Sequence, residues 1–182
     1  MARFIRATHA LWSSTVFLGG PDKPGHDGEN RSMSTTTSLW DWTLAAYGRP
    51  GVPEATLVLQ DEHGLNTSFL LWAVWANPYR ETMANGMQTS VLWDETVLWP
   101  LRNVRRGLKT SRRPFADAAR EGLREDVKAA ELRAERVLME TLESLAGPTA
   151  APDPAGALTR AAMAWSGQAP ADALTRLAEA LA

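Results

Sequence analysis

A chain of 182 residues is long enough to bury one hydrophobic core, and its formal net charge of −2 argues neither for nor against a charged partner. The sequence contains no cysteine, which excludes disulfide bonds and cysteine-ligated zinc and suits a cytosolic protein. Its eight tryptophans outnumber its tyrosines and phenylalanines, so we expect indole packing to dominate the core.

Residues 1–32 differ in composition from the rest of the chain. Arg3 and Arg6 precede a weakly apolar segment, as in a signal peptide, but hydroxyl residues interrupt that segment and no convincing cleavage site follows. The next residues, 20–30, are rich in glycine, proline and aspartate and cannot bury apolar surface. We therefore expect Met33 to be the true start, with residues 1–32 either a disordered extension or an annotation artefact.

The densest apolar run lies in residues 38–76 and contains three predicted helices. Ser38 is a natural N-cap with Asp41 in the first turn, and Gly48 is a natural left-handed residue after a helix over 39–47. Pro53 suits the first turn of a second helix, which Gly64 closes.

Asn66 is the predicted cap of the third helix, residues 67–76. Residues 69–76 are apolar all round, which is typical of a helix surrounded by other helices, and they are too few to span a bilayer. The third helix is therefore predicted to lie at the centre of the fold.

A family resemblance rests on the motifs L-W-D-W, P-G-V, L-Q-D-x-H-G and P-L-R-x-x-R-R, which occur here in that order. Over residues 38–145 the chain resembles the DUF2390 family of small bacterial proteins. The resemblance supplies no catalytic residues to carry over, and we expect no cofactor. One departure is that relatives tend to have Asp-x-Asn after the His-Gly pair, where this chain has Asn66-Thr67-Ser68. The cap is intact, but a role for a carboxylate there is in doubt.

The chain after residue 76 is predicted to continue as a loop and two larger helices. Residues 77–89 are expected to form a loop with one helical turn, and Ser90 is expected to cap a helix over 90–109 that Pro100 kinks near 96–99. The apolar stripe of that helix comprises Trp93, Val97, Leu101, Val104 and Leu108. A long helix over 115–146 follows, with a narrow seam made of Leu123, Val127, Ala130, Ala134, Val137 and Thr141.

The C-terminal residues are predicted to form a Pro/Ala linker, 148–156, and two short alanine-rich helices around a break at 167–170. The fold class is all-α: a compact helical bundle with a central buried helix, a Pro-kinked helix and one long C-terminal helix. We place the helical domain at 33–147 and treat 148–182 as a linker and a variable tail.

A basic run in residues 102–113 is the first candidate site. Its cations are Arg102, Arg105, Arg106, Lys109, Arg112 and Arg113. The first four share one helical face and could contact phosphates of a nucleic acid. The simpler interpretation, which we favour, is a helix end that balances the acidic long helix through ion pairs. Arginines folded onto Glu131 and Glu135 would favour neither a protein nor a nucleic-acid surface.

Carboxylates and one histidine form a second, weaker candidate. Asp61 and His63 precede Gly64, while Glu131 and Glu135 lie one turn apart on the long helix. Bundle metal sites use such groups, but no Glu-x-x-His or His-Glu-x-x-His pattern is present. We favour a helix-capping role for His63 and arginine pairing for the two glutamates.

Asp41 and the tryptophan pairs have structural and functional interpretations. Asp41 could be a buried acid beside two indoles, although a capping role explains it more simply. Trp72/Trp75 and Trp93/Trp99 are expected to be core residues, but an exposed Trp93 or Trp99 would suit a protein contact.

The function we expect is that of a non-enzymatic cytoplasmic binding or adaptor protein that acts through a protein partner, not a membrane. Trp93, Trp99 and the arginine face would be its contact surface. A nucleic-acid-binding accessory protein that uses residues 102–113 is the first alternative. A metal-dependent enzyme built on Asp61, His63, Glu131 and Glu135 is the second.

Overall fold

The computed structural model describes residues 37–147 and 151–182, so the expectations for residues 1–32 lie outside the described residues. The described residues form eight α-helices and one π-helical turn and contain no strand, which confirms the all-α prediction. The helices are α1 (Leu39–Tyr47), α2 (Val52–Asp61), α3 (Thr67–Ala76), α4 (Arg80–Trp93), α5 (Trp99–Gly107), α6 (Asp117–Leu145), α7 (Pro154–Ser166) and α8 (Ala171–Leu181), and the π-helical turn is Asp94–Leu98. None of the helices in the described residues is both long and apolar enough to cross a membrane.

The first three helices begin where their capping residues predict. The Ser38 side chain accepts a hydrogen bond from the Asp41 N–H at 3.1 Å, and the Asn66 side chain accepts one from the Phe69 N–H at 3.0 Å. Pro53 lies in the first turn of α2, as predicted. Helix α3 is the central helix, because it contacts α1, α2, α4, α6 and α7 and its residues 69–73 are fully buried. The rings of Phe69 and Trp72 stack there, with centroids 5.7 Å apart.

The left-handed residue between α1 and α2 was predicted at the wrong glycine. Gly48 has φ −73° and is right-handed, whereas Gly51 has φ 87°. The Gly48 and Arg49 N–H groups bond to the carbonyls of Ala45 and Ala46, so the chain continues in right-handed turns and reverses only at the N-cap of α2. Gly64, which was predicted to close the second helix, follows α2 and is left-handed, with φ 64°.

The prediction of a loop over 77–89 and of a cap at Ser90 was wrong, because α4 occupies that segment. Asn77 reverses the chain with φ 37°, and the helix begins three residues later at Arg80. Gly86, which suggested a turn, lies inside the helix, where a Cβ atom would overlap the indole of Trp72. Its missing side chain permits close packing of helices. Ser90 is fully buried inside α4 and caps nothing.

At the place where a kink was predicted, near 96–99, the chain forms a π-helical turn just before Pro100. Proline has no backbone N–H, and the wider turn lets the Trp99 N–H bond to the Asp94 carbonyl five residues earlier. The added residue rotates the following helix by about 100°, one α-helical position, relative to an uninterrupted helix.

This rotation makes the predicted apolar stripe of residues 93–108 wrong in its second half. The buried side chains are Leu98, Arg102 and Arg105, each one position after a predicted stripe residue, while Val104 is 50% exposed. Two arginines therefore face the interior of the protein.

The predicted seam of α6 is right at Ala134, which is buried, but elsewhere the buried residues lie one position further along. Glu131, Leu138 and Leu142 are buried, and each follows a residue of the predicted seam. Leu123 and Val137, which were placed in the seam, are 52% and 39% exposed. Hydrophobic periodicity could not identify this inward face, because the face includes Glu131 and Glu135. These two glutamates bind the inward-facing Arg102 of α5.

The two C-terminal helices form as predicted, on either side of Gly167, whose φ is 71°. Helix α7 packs on α3, and α8 packs on α2 and α7. Leu158, Leu174 and Leu177 are buried in the same apolar cluster as α3. Trp165 contacts this core as well: its indole N–H donates to the Gly64 carbonyl at 3.0 Å.

Candidate functional site

A buried ionic cluster joins α5 to α6. Arg105 Nε donates to Glu131 Oε2 at 2.5 Å, and Arg102 Nε donates to Glu131 Oε1 at 3.3 Å. The side chain of Glu131 is only 2% exposed. Removing these charges from water is costly, so they are retained only because each carboxylate oxygen accepts a charge-assisted hydrogen bond.

The cluster extends from Arg102 to the π-helical turn and to the start of α3. Arg102 donates to Asp94 Oδ1 at 3.0 Å and to Glu135 Oε1 at 3.4 Å. Asp94 Oδ1 also accepts a hydrogen bond from the side-chain amide of Asn66 at 3.2 Å. The guanidinium group of Arg102 and its partners thus connect four parts of the fold: the N-cap of α3, the π-helical turn, α5 and α6.

Burial shifts the pKa of two groups in this region. Desolvation raises the pKa of Glu135 to about 7, with Arg102 opposing the shift and the charge of Glu131 adding to it. Desolvation likewise raises the pKa of Tyr47 to about 12, although hydrogen bonds with Thr56 and Thr67 oppose the shift. For Arg102, burial favours loss of the proton, but the neighbouring carboxylates outweigh burial and raise its pKa.

The predicted basic face is divided by the rotation at the π-helical turn. Arg102 and Arg105 point inward and are 9% and 7% exposed, as the interpretation based on ion pairs expects. They contribute nothing to a surface for nucleic acid or protein. The remaining four cations are exposed: Arg106, Lys109, Arg112 and Arg113. Among the described residues, the three arginines of this group form no ion pair.

The residues of the weaker candidate site are not brought together. Asp61 and His63 are exposed at the end of α2, while Glu131 and Glu135 are bound to arginines on the inner face of α6. Asp41 is exposed at the start of α1 and accepts a hydrogen bond from the Ser38 hydroxyl at 2.7 Å, consistent with a capping role. No group of three or more potential metal ligands occurs in residues 37–147 and 151–182.

The tryptophans considered as contacts differ in their surroundings. Trp72 is fully buried and Trp75 is partly buried against the core. Trp93 is half-buried, and its indole N–H donates to the Ala134 carbonyl at 2.9 Å, which fixes it against α6. Trp99 is 59% exposed and remains accessible.

An open apolar groove of about 500 Å³ lies between the end of α5 and the start of α6. Three of its apolar side chains are well exposed: Phe115 by 70%, Leu123 by 52% and Val104 by 50%. The full lining comprises Val104, Gly107, Leu108, Thr110, Arg112, Phe115, Ala116, Ala119, Arg120 and Leu123. We call this the α5–α6 groove.

The walls of the groove are fixed by the same helix pairing that buries the ionic cluster. Arg120 on α6 donates to the Leu108 carbonyl at the end of α5 and binds Asp117 at 3.3 Å. The Phe115 N–H donates to the Arg112 carbonyl at 3.0 Å, which closes a turn in the connecting loop. These bonds join the first turn of α6 to the end of α5 and close a turn between them at the edge of the groove.

Sequence reasoning did not find this groove. It assigned Val104 and Leu108 to the buried stripe of one helix and Leu123 to the buried seam of the next. One pattern in the sequence could have indicated the groove. Phe115, Ala119 and Leu123 are spaced four residues apart in a segment otherwise rich in charge, and such an apolar stripe needs an apolar partner.

Taken together, these features define an all-helical protein with a buried ionic cluster and an open apolar groove beside exposed arginines. The sequence model of the family "Protein of unknown function (DUF2390)" matches residues 38–142, more than half of the chain. The protein belongs to the DUF2390 family, as the resemblance indicated. The matched segment contains the ionic cluster and the groove and ends before α7. No curated protein and no solved structure matches the chain significantly.

Proposed function

We propose that this protein is a non-enzymatic binding or adaptor protein of the cytoplasm that holds a protein partner in the α5–α6 groove. The observation that carries the proposal is the exposure of Phe115, Leu123 and Val104 around a concave surface of about 500 Å³. Isolated exposed apolar side chains are ordinary, but a contiguous apolar concavity rimmed by polar groups is typical of a protein-binding surface.

The contact surface proposed here differs from the one expected from the sequence. Trp93 is held against α6 by its bond to Ala134, and Arg102 and Arg105 are bound inside the protein. The proposed surface therefore consists of the groove, with Arg112 in its lining and Arg113 next to it in the sequence. The mutual pairing of arginines and glutamates gives the ionic cluster a structural role: it sets the relative position of α5 and α6, the two walls of the groove.

Nucleic-acid binding is retained as a second candidate because Arg106, Arg112 and Arg113 are exposed near one another in sequence. Each phosphate contact made by such residues would steepen the dependence of binding on salt. The apolar groove favours the protein partner, since phosphate contacts would leave Phe115 and Leu123 in water.

The test is affinity capture with the tagged full chain from extracts of its own cells, with and without nuclease. The groove variant is Phe115→Ser with Leu123→Ser. The matched control is Tyr79→Ser with Met163→Ser, because these side chains are 59% and 50% exposed and lie outside the groove lining. Circular dichroism and urea unfolding of each variant establish that it is folded.

We expect proteins that survive nuclease treatment to be retained by the wild type and by the control variant and lost with the groove variant. Proteins captured equally by both variants would contradict the proposal. Captured material that disappears with nuclease, and with Arg112→Ala/Arg113→Ala, would replace it with nucleic-acid binding.

A further inference from the structure

We infer that the occupant of the α5–α6 groove is an amphipathic helix whose apolar face fills the groove and whose flanking residues are acidic. This inference rests on the proposed function, because it requires that the groove holds a protein. It adds the conformation and the charge of the bound segment.

The shape of the groove suits a helix. Its floor and walls come from two paired helices, with Val104 and Leu108 from the end of α5 and Ala119 and Leu123 from the first two turns of α6. From residue 116 to residue 123 the wall runs for about 10 Å, or two helical turns. A helix presents apolar side chains at i, i+3 or i+4 and i+7 over a similar length, which matches this wall.

The position of Phe115 supports a peptide occupant. It lies in the loop immediately before α6, is 70% exposed and borders the groove at one end. A partner helix that lies along α6 would bury this ring together with Leu123. An aromatic side chain at the edge of a concave surface is a common anchor for a partner.

The charge of the rim indicates an acidic partner. Between Glu95 and Asp117 the sequence contains six cations and no carboxylate. Arg102 and Arg105 are neutralised by glutamates of α6. On the α6 wall, Arg120 is paired with the carboxylates of Asp117 and Glu121. The exposed Arg106, Arg112 and Arg113 form no ion pair with the described residues, so the unbalanced charge of this region is positive. Arg112 lines the groove itself. Acidic residues beside the apolar face of a bound helix would meet these guanidinium groups and speed association.

Two other occupants fit less of the surface. An anionic membrane would pair with the arginines, but a bilayer is contacted by protruding apolar side chains, whereas Ala119 and Leu108 lie within a concavity. A nucleic acid would also pair with the arginines but would leave the apolar walls uncovered. Both occupants are outcomes of the experiment below.

The experiment replaces Ala119 of the full chain with the photo-crosslinking residue benzoylphenylalanine and irradiates the protein in extracts of its own cells. Mass spectrometry identifies the crosslinked peptide. That peptide is then synthesised with a fluorescent label, and its affinity for the protein is measured by fluorescence anisotropy. The same assay uses the groove variant, the rim variant Arg112→Glu/Arg113→Glu and, as a control of equal charge change on exposed arginines, Arg80→Glu/Arg133→Glu.

We expect the crosslinked peptide to contain apolar residues at helical spacing and more acidic than basic residues. We also expect helical circular dichroism on binding and an affinity at least about tenfold weaker for the rim variant than for the control variant. A captured peptide without acidic excess, or equal affinity of the rim and control variants, would overturn this inference while leaving the proposed function intact. A peptide whose affinity the groove variant does not weaken would overturn both. If anionic lipid vesicles, or nucleic acid, instead bind the wild-type protein and block the crosslink to a peptide, either result would overturn both this inference and the proposed function.

Discussion

Arg105 and Glu131 are joined inside the protein by a hydrogen bond of 2.5 Å between Nε and Oε2, although they lie 26 positions apart on different helices. Glu131 also accepts a bond from Arg102, so one buried carboxylate holds two guanidinium groups. The pairing fixes the position of α5 against α6, and the groove between their ends depends on that position.

Breaking this pair at one end is expected to destabilise the fold strongly. Glu131→Ala leaves Arg102 and Arg105 buried without their shared carboxylate and is expected to lower the free energy of unfolding by about 3–5 kcal/mol. Urea unfolding measures this change. The matched control is Glu140→Ala, which removes an exposed partner of Arg136 and is expected to cost no more than about 1 kcal/mol. Equal losses in the two variants would show that the buried pair adds nothing specific.

The raised pKa of Glu135 predicts how stability depends on pH. Since its pKa rises from the ordinary value of 4.5 to about 7 on folding, the folded protein binds the proton more tightly than the unfolded chain. Its contribution to stability is therefore fully present below about pH 4.5 and is lost as the pH rises through about 7. A shift of this size corresponds to roughly 3 kcal/mol.

Glu135→Gln tests this pH dependence, because glutamine resembles the protonated acid. Urea unfolding at intervals between pH 4.5 and pH 8.5 is expected to give a stability difference between variant and wild type that changes with pH. The variant should become the more stable protein near pH 8. Parallel stability curves over this range would contradict the raised pKa and the burial that causes it.

A side chain at Gly86 is expected to separate α4 from α3. In Gly86→Ala the new methyl group would overlap the Trp72 ring, so we expect a loss of about 1–3 kcal/mol in the free energy of unfolding. Gly122→Ala is the control, because Gly122 is an exposed helical glycine with open space around its Cβ position. That change is expected to stabilise the protein by up to about 1 kcal/mol through helix propensity. Two changes of the same sign would argue against close packing at Gly86.

The C-terminal helices are expected to be necessary for the stability of the whole fold. Leu158 on α7 and Leu177 on α8 are completely buried, so Leu158→Ala and Leu177→Ala should each cost about 2–5 kcal/mol. Leu142→Ala, within the segment that the family model matches, serves as the comparison and should cost a similar amount. Chemical denaturation should give one cooperative transition in all three variants. Losses below about 1 kcal/mol at Leu158 and Leu177 would instead mean that residues 151–182 form a separate unit.

Tyr47 is expected to resist ionisation as long as the protein is folded. Its pKa is raised to about 12 by burial, and the change Tyr79→Phe leaves it as the sole tyrosine. The absorbance of this variant at alkaline pH should report phenolate only as the pH approaches 12, whereas in urea it should titrate near 10. A native titration near 10 would show that the hydroxyl is in contact with solvent.

Part of the fold could be predicted because local rules decide it. The caps at Ser38 and Asn66 satisfy backbone groups of their own helices, Pro53 fits a first turn whatever surrounds it, and Gly64 and Gly167 adopt positive φ. The uniform apolarity of residues 69–76 identified the central helix, since such a segment is stable only when other helices surround it. These features depend on neighbours within a few residues, which the sequence displays directly.

The tertiary structure decided where charges and close contacts fall. Gly86 lies inside a helix because its missing side chain admits Trp72 from α3, and no neighbouring residue signals that contact. The π-helical turn before Pro100 rotated α5 by one position, and on α6 the buried face includes Glu131, which binds Arg102 and Arg105. Hydrophobic periodicity assigns charged residues to the surface, so it could not identify a buried face whose arginines are stabilised by glutamates of a distant helix. With these faces turned inward, Val104 and Leu123 lie outside, and they line the groove.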